Sequence, residues 1–151
     1  ARAIVRHREQ GGRLDTTLQL AELVAACVPG REPGKHPATR VFQALRIHVN
    51  SELDQLRQLL DAVPAMLATG GRLVVISFHS LEDRIVKHFI RGHAKGPELP
   101  RGLPVRGDFH QPLLVAVGKA MFPSDGEVAR NPRARSAVLR VAERTEVPVH
   151  G

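Results

Sequence analysis

Between residues 53 and 67 the apolar positions fall at steps of three and four: Leu53, Leu56, Leu60, Val63 and Leu67. That spacing predicts an amphipathic helix over roughly Ser51–Leu67. Pro64 should kink it or end it early, and Gly70-Gly71 supplies a C-terminal stop. The unbroken run Leu73-Val74-Val75-Ile76 then predicts a strand over Leu73–Phe78, central, of parallel type and buried on both faces. Ser80 and Asp83 stand at capping-box spacing, and a second helix is expected over Leu81–Arg91. Its pattern turns Ile85, Val86 and Phe89 inward and Arg84, Lys87 and Arg91 outward.

Toward the N-terminus the pattern is helical in shorter stretches. A helix is expected from Ala3 to about Glu9, ended by Gly11-Gly12. Thr16 or Thr17 is placed to cap another, with Leu20, Val24 and Cys27 on one face. Pro29, Gly30, Pro33 and Gly34 predict a loop. His36-Pro37 then leads into a third helix, Pro37 in its first turn, with Phe42, Leu45 and Val49 on its apolar side. The pattern changes near Asn50. Beyond the second long helix, Gly92 to Pro112 is rich in Gly and Pro and reads as irregular. Leu113–Val117 and Ala137–Val141 read as strands, and Pro123 to Arg135 between them is polar and basic. Helix, strand and helix in this order are the unit of a doubly wound α/β sheet.

Charge changes the picture. The 151 residues carry a net +7 with a pI of about 10.9, which favours a polyanion, chiefly nucleic acid, as partner. Aromatics are 3% of the chain, without Trp or Tyr, so base stacking on an aromatic platform is not the expected mode. Cys27 is the only cysteine, which excludes an internal disulfide and a cysteine zinc site. No apolar run approaches the ~20 residues of a membrane span, and a cytoplasmic protein without a membrane partner is the simplest reading. The chain opens on Ala1 in what reads as mid-helix, and truncation upstream is the expectation.

The most informative stretch for chemistry is Ser77-Phe78-His79-Ser80-Leu81-Glu82-Asp83-Arg84. It joins the C-terminal end of a strand to a helix start, the edge where open α/β sheets bind ligands. Free N–H groups there favour an anion, and His79 and Ser80 are able to hydrogen-bond a base or a phosphate. Equally, Ser80 is a common cap and His79 an ordinary turn residue. A serine-hydrolase elbow is missing, and His79, His88 and His93 lack a metal-binding spacing. Asn131-Pro132-Arg133-Ala134-Arg135-Ser136 is a compact basic turn whose arginines suit phosphates, or only solvate a loop. His36-Pro37-Ala38-Thr39-Arg40 has the same two readings. No Gly-x-Gly occurs anywhere, so a cradle for a nucleotide-like cofactor is not found.

Three segments, HPATRVFQALRIHVNSEL, GGRLVVISFHSLEDRIVKHFIR and NPRARSAVLRVAER, in this order and spacing, resemble the bacterial 16S ribosomal RNA cytosine-N4 methyltransferases, the MraW or RsmH family. The resemblance covers nearly the whole chain. It implies S-adenosylmethionine as donor, a cytosine in the decoding region of 16S rRNA within the small subunit as acceptor, and a class I (Rossmann-like) methyltransferase fold interrupted by a helical insertion. By it, residues 1–49 are the late part of the insertion and 50–151 the C-terminal part of the methyltransferase domain. The family's donor-binding motifs match no residue here, so the chain alone is expected to bind no donor and to transfer no methyl group. His79, Ser80, Arg84, Lys87, Asn131, Arg133 and Arg135 are the candidates for RNA contact, and no residue is assigned to catalysis. A sheet cut in this way should expose apolar surface beside Leu73–Phe78 and drive self-association into a homo-oligomer. Two rivals stand beside this reading: a non-catalytic basic RNA-binding or assembly fragment, and a different α/β enzyme with Ser77–Arg84 as its site.

Overall fold

A computed structural model describes residues 1–28, 36–95 and 111–149. The chain divides into two compact units, Ala1–Glu52 and Leu53–Gly151. The expected loop at Pro29–Gly34 lies outside the described residues.

The first unit holds three helices, α1 (Arg2–Glu9), α2 (Thr17–Cys27) and α3 (Thr39–Asn50). Thr16 caps α2: its hydroxyl accepts from Gln19 N at 3.2 Å, and the Gln19 side chain accepts from Thr16 N at 3.1 Å. Such a reciprocal box satisfies two orphan donors at once. Val24 is buried on the expected face, but Cys27 is exposed. Pro37 does not enter α3. It sits in a turn before the helix, where the His36 carbonyl accepts from Thr39 N and Oγ1 at 3.0 and 2.7 Å. Phe42 is half-buried, while Leu45 and Val49 stay exposed. Ser51 takes a left-handed conformation, φ 52°, and separates α3 from the next helix, which is the physical form of the pattern break near Asn50.

In the second unit α4 (Glu52–Met66) runs into β1 (Arg72–Ser77) and α5 (Ser80–Lys95), followed by β2 (Leu114–Ala116), α6 (Asp125–Arg130), a 3-10 turn (Pro132–Ser136) and β3 (Val138–Arg144). The helix α4 ends two residues past Pro64. Gly70, at φ 77°, reverses the chain into β1, with its N–H on the Arg144 carbonyl at 2.8 Å. The helix α5 continues through Gly92 to Lys95, where irregular structure was expected; residues 96–110 lie outside the described residues.

The sheet corrects the expectation for residues 73–78. Its order is β1-β3-β2, and both neighbours pair antiparallel with β3. Among the described residues β1 is therefore an edge strand paired antiparallel, where a central parallel strand was expected. The last strand in the chain enters between the first two, so β1 and β2 run parallel to each other without touching. Residue exposure along β1 alternates. Leu73 and Val75 pack toward α4 and α5, against a core of Leu60, Val86, Ile90, Leu114 and Ala142. Val74 and Ile76 lie on the other face, 55% and 54% exposed. Every residue of the run is apolar, which pattern reading takes as burial on both sides. The described residues cover one side only.

Arg144 locks the end of β3. It is buried, and its guanidinium donates to the carbonyls of Pro64 at 3.2 Å, Leu113 at 3.3 Å and Thr145 at 2.8 Å, and to that of Val147. A cation taken out of water needs such saturation of its donors. The bonds tie the last turn of α4 to the start of β2.

Candidate nucleic-acid interface

The turn from β1 to α5 is closed by its own side chains. His79 Nδ1 accepts from Glu82 N at 3.3 Å, while Glu82 Oε2 accepts from Phe78 N at 3.0 Å and His79 N at 3.4 Å. The capping box is thus His79/Glu82, one residue earlier than the Ser80/Asp83 spacing suggests. Two amides expected to be free for an anion are engaged by Glu82, which supplies the negative charge that a helix N-terminus favours. With Nδ1 accepting, the ring proton sits on Nε2. That atom is buried, 3.1 Å from Glu82 Oε1 but outside hydrogen-bond geometry. Ser80 and Arg84 are exposed beyond the box.

Asp83, freed from capping, reaches the sheet. Arg140 Nε donates to Asp83 Oδ1 at 2.7 Å and Nη2 to Oδ2 at 3.0 Å, with both side chains 20% exposed. Those hydrogen bonds hold the Asp83 carboxyl below its usual range against the opposing effect of burial, with the Arg140 charge and then Lys87 adding to them. Sequence reasoning missed this pair. Its signal was Arg140 within the apolar run Val138–Ala142 at a register that faces inward beside Val75, a position that calls for an acid.

Strand register brings the two candidate segments together. Val138, the first residue of β3, pairs with Ser77, the last of β1. The 3-10 turn that carries Asn131, Arg133 and Arg135 therefore stands at the same end of the sheet as His79 and Ser80. Asn131 Oδ1 accepts from Arg133 N at 3.2 Å and caps that turn, with Ala134 buried beneath it. Arg133 and Arg135 are exposed and have no ion-pair partner among the described residues. At three residues per turn they stand roughly 120° apart around the 3-10 axis. They offer two separate contacts, not one clamp.

Arg84 and Lys87 part company along α5. Arg84 borders a depression of about 410 Å³ between α4 and α5, with Arg57, Asp61 and His88 on its rim and Leu60, Ile85 and Phe89 in it. Lys87 borders a groove of about 210 Å³ on the β3 side of the helix. Among the described residues no group of three His, Cys, Asp or Glu is placed to hold a metal, and no helix is long and apolar enough to cross a membrane.

Against known proteins, the sequence profile described as the MraW methylase family matches residues 1–145. A ribosomal RNA small subunit methyltransferase H of Methylobacillus flagellatus is 60% identical over 148 residues, covering 97% of this chain and 46% of that protein. Proteins of the same name from Thioalkalivibrio sulfidiphilus and Azoarcus sp. are 59% and 60% identical, over 95% and 97% of this chain. The chain spans about half the length of the curated relatives it matches. Identity of this order, continuous across both units, leaves one conclusion: the chain belongs to the MraW methylase family.

Proposed function

We propose that this chain is the C-terminal part of an enzyme that methylates the N4 amine of a cytosine in the decoding region of 16S rRNA, in the cytoplasm, with S-adenosylmethionine as donor. The observation that carries the reading is the family match over residues 1–145, with relatives named for methylation of small-subunit ribosomal RNA. Residues 1–49 are then the late part of a helical insertion and 50–151 the end of the methyltransferase domain.

The described residues supply no cradle that fits the donor. The positive-φ glycines Gly11, Gly70 and Gly118 stand singly, and the amides at the β1–α5 turn are engaged by Glu82. The contribution of this chain is to hold RNA. Ser80, Arg84, Lys87, Arg133 and Arg135, all exposed, take the RNA strand at one end of the sheet and along α5. His79 and Asn131 cap the two segments and so position them. A transfer of this kind depends on alignment of the amine with the methyl group more than on covalent help from the protein.

The test supplies the longer enzyme containing this chain with labelled donor and unmodified small subunits. N4-methylcytidine in nuclease digests of the 16S rRNA is the expected product, and methyl label on another atom or another RNA overturns the reading. Calorimetric titration of the 151-residue chain with S-adenosylmethionine should show no saturable heat. Micromolar binding would place the donor site within this chain.

A further inference from the structure

The groove beside Lys87 has a charge that neither the capping box nor the basic turn accounts for. One wall is α5, which presents Lys87, Arg91 and Lys95 at successive steps of four residues. Four residues rise about 6 Å along a helix, comparable to the separation of consecutive phosphates on one nucleic-acid strand. The facing wall is the segment after β2, where Gly118 at φ 72° turns the chain and Lys119 follows it. Ile90, Ala94 and Ala116 line the groove. Arg140 lines it too, but its charge is answered by Asp83. Among the described residues no acidic side chain lines this groove, and Lys95 and Lys119 have no ion-pair partner.

Cations spaced along one wall, a cation opposite and an apolar floor suit an extended polyanion with sugars between its charges. They suit a single compact anion less well, because the charges are spread along the groove. We infer that this groove binds the phosphate backbone of a single-stranded RNA segment, as a second contact in addition to the Asn131–Arg135 turn. The inference rests on the proposal that the chain acts on RNA. It adds a place where the strand runs.

Fluorescence anisotropy of a short labelled single-stranded RNA with the 151-residue chain, at a series of KCl concentrations, tests it. Each phosphate contact to a single strand contributes about 0.7 to the log–log salt slope. Lys95→Gln with Lys119→Gln should therefore lower the slope by about 1.4 and weaken binding roughly 10–30-fold at 0.1 M salt, with an unchanged melt. Arg13→Gln with Arg46→Gln removes the same charge from exposed pairs with Asp15 and Glu52 and should leave affinity within about twofold, as expected of charges outside the contact. An equal loss in both double variants means diffuse attraction and overturns the groove. So does displacement of RNA by inorganic phosphate at matched phosphate concentration, which marks a small-anion site. Wild-type binding that the lysine variant leaves intact sinks the groove alone. A wild-type chain without saturable RNA binding sinks the RNA reading of the chain as well.

Discussion

Arg140 of β3 holds Asp83 of α5 in a two-bond fork, at 2.7 and 3.0 Å. The fork joins the middle strand to the first turns of the helix that carries Arg84 and Lys87, so it fixes where those cations stand. Charge-assisted forks in partly buried positions are among the stronger polar contacts.

Asp83→Asn should destabilise the chain at neutral pH by about 1–3 kcal/mol. The sign with pH follows from the lowered carboxyl. A depressed carboxylate contributes stability that is full above its unfolded value, 3.8, and is lost as pH falls through the lower folded value. Urea unfolding at pH 7 and near pH 3 should show a large wild-type advantage at the first and a reduced one at the second. A difference independent of pH would mean that the fork is not what sets it.

The cap at His79 makes a separable prediction. His79→Ala removes the acceptor for Glu82 N and should cost about 0.5–2 kcal/mol, with weaker RNA binding because α5 loses its anchored start. His79→Asn restores a good cap and should restore both. Recovery of stability without recovery of RNA affinity would make the imidazole an RNA contact in its own right.

The long helices were legible because their apolar period is sustained: Leu53 to Leu67 and Ile85 to Phe89 located α4 and α5 to within a few residues. Strand order was not legible. Nothing in Leu73–Ile76 distinguishes a central strand from an edge strand, since that depends on β3 arriving some sixty residues later. The capping box was misplaced because histidine is an uncommon cap, and Ser80 drew attention one residue too late. The cation groove was invisible because Lys119 meets α5 only through the path of β2. The candidate segments themselves, 77–84 and 131–136, were correctly expected at strand ends, and only the register Ser77–Val138 brings them together.

The open sheet face should drive association. Val74 and Ile76 pair with Val141 and Leu139 on that face, and Met121, 53% exposed, bridges to Leu139. Contiguous apolar surface beside a sheet edge is an association site. Sedimentation of the 151-residue chain should show self-association and bind an apolar dye. Val74→Lys with Ile76→Lys should reduce both with little loss of stability, since neither side chain is in the core. A wild-type monomer that binds no dye would refute this.

Arg133 and Arg135 give the sharpest test of the RNA end of the sheet. The bland alternative pairs them with Glu127 or Glu143, but Glu143 is held by Arg72 at 2.9 Å and neither arginine has an ion pair among the described residues. An exposed pair with Glu127 or Glu143 would be worth only ~0–1 kcal/mol, so the arginines are not needed for folding. Standing apart on the 3-10 turn, they should contact different phosphates, additively and without regard to sequence. In the longer enzyme, Arg133→Ala with Arg135→Ala should flatten the salt dependence of RNA binding by up to ~2 units of log–log slope, at most about one per lost contact. Donor affinity and melting temperature should be nearly unchanged. Each single variant should give about half the effect, which separates two contacts from one clamp, where either loss would remove most of it. An unchanged slope with normal methylation of small subunits would leave these arginines as solvated surface and remove the turn from the interface.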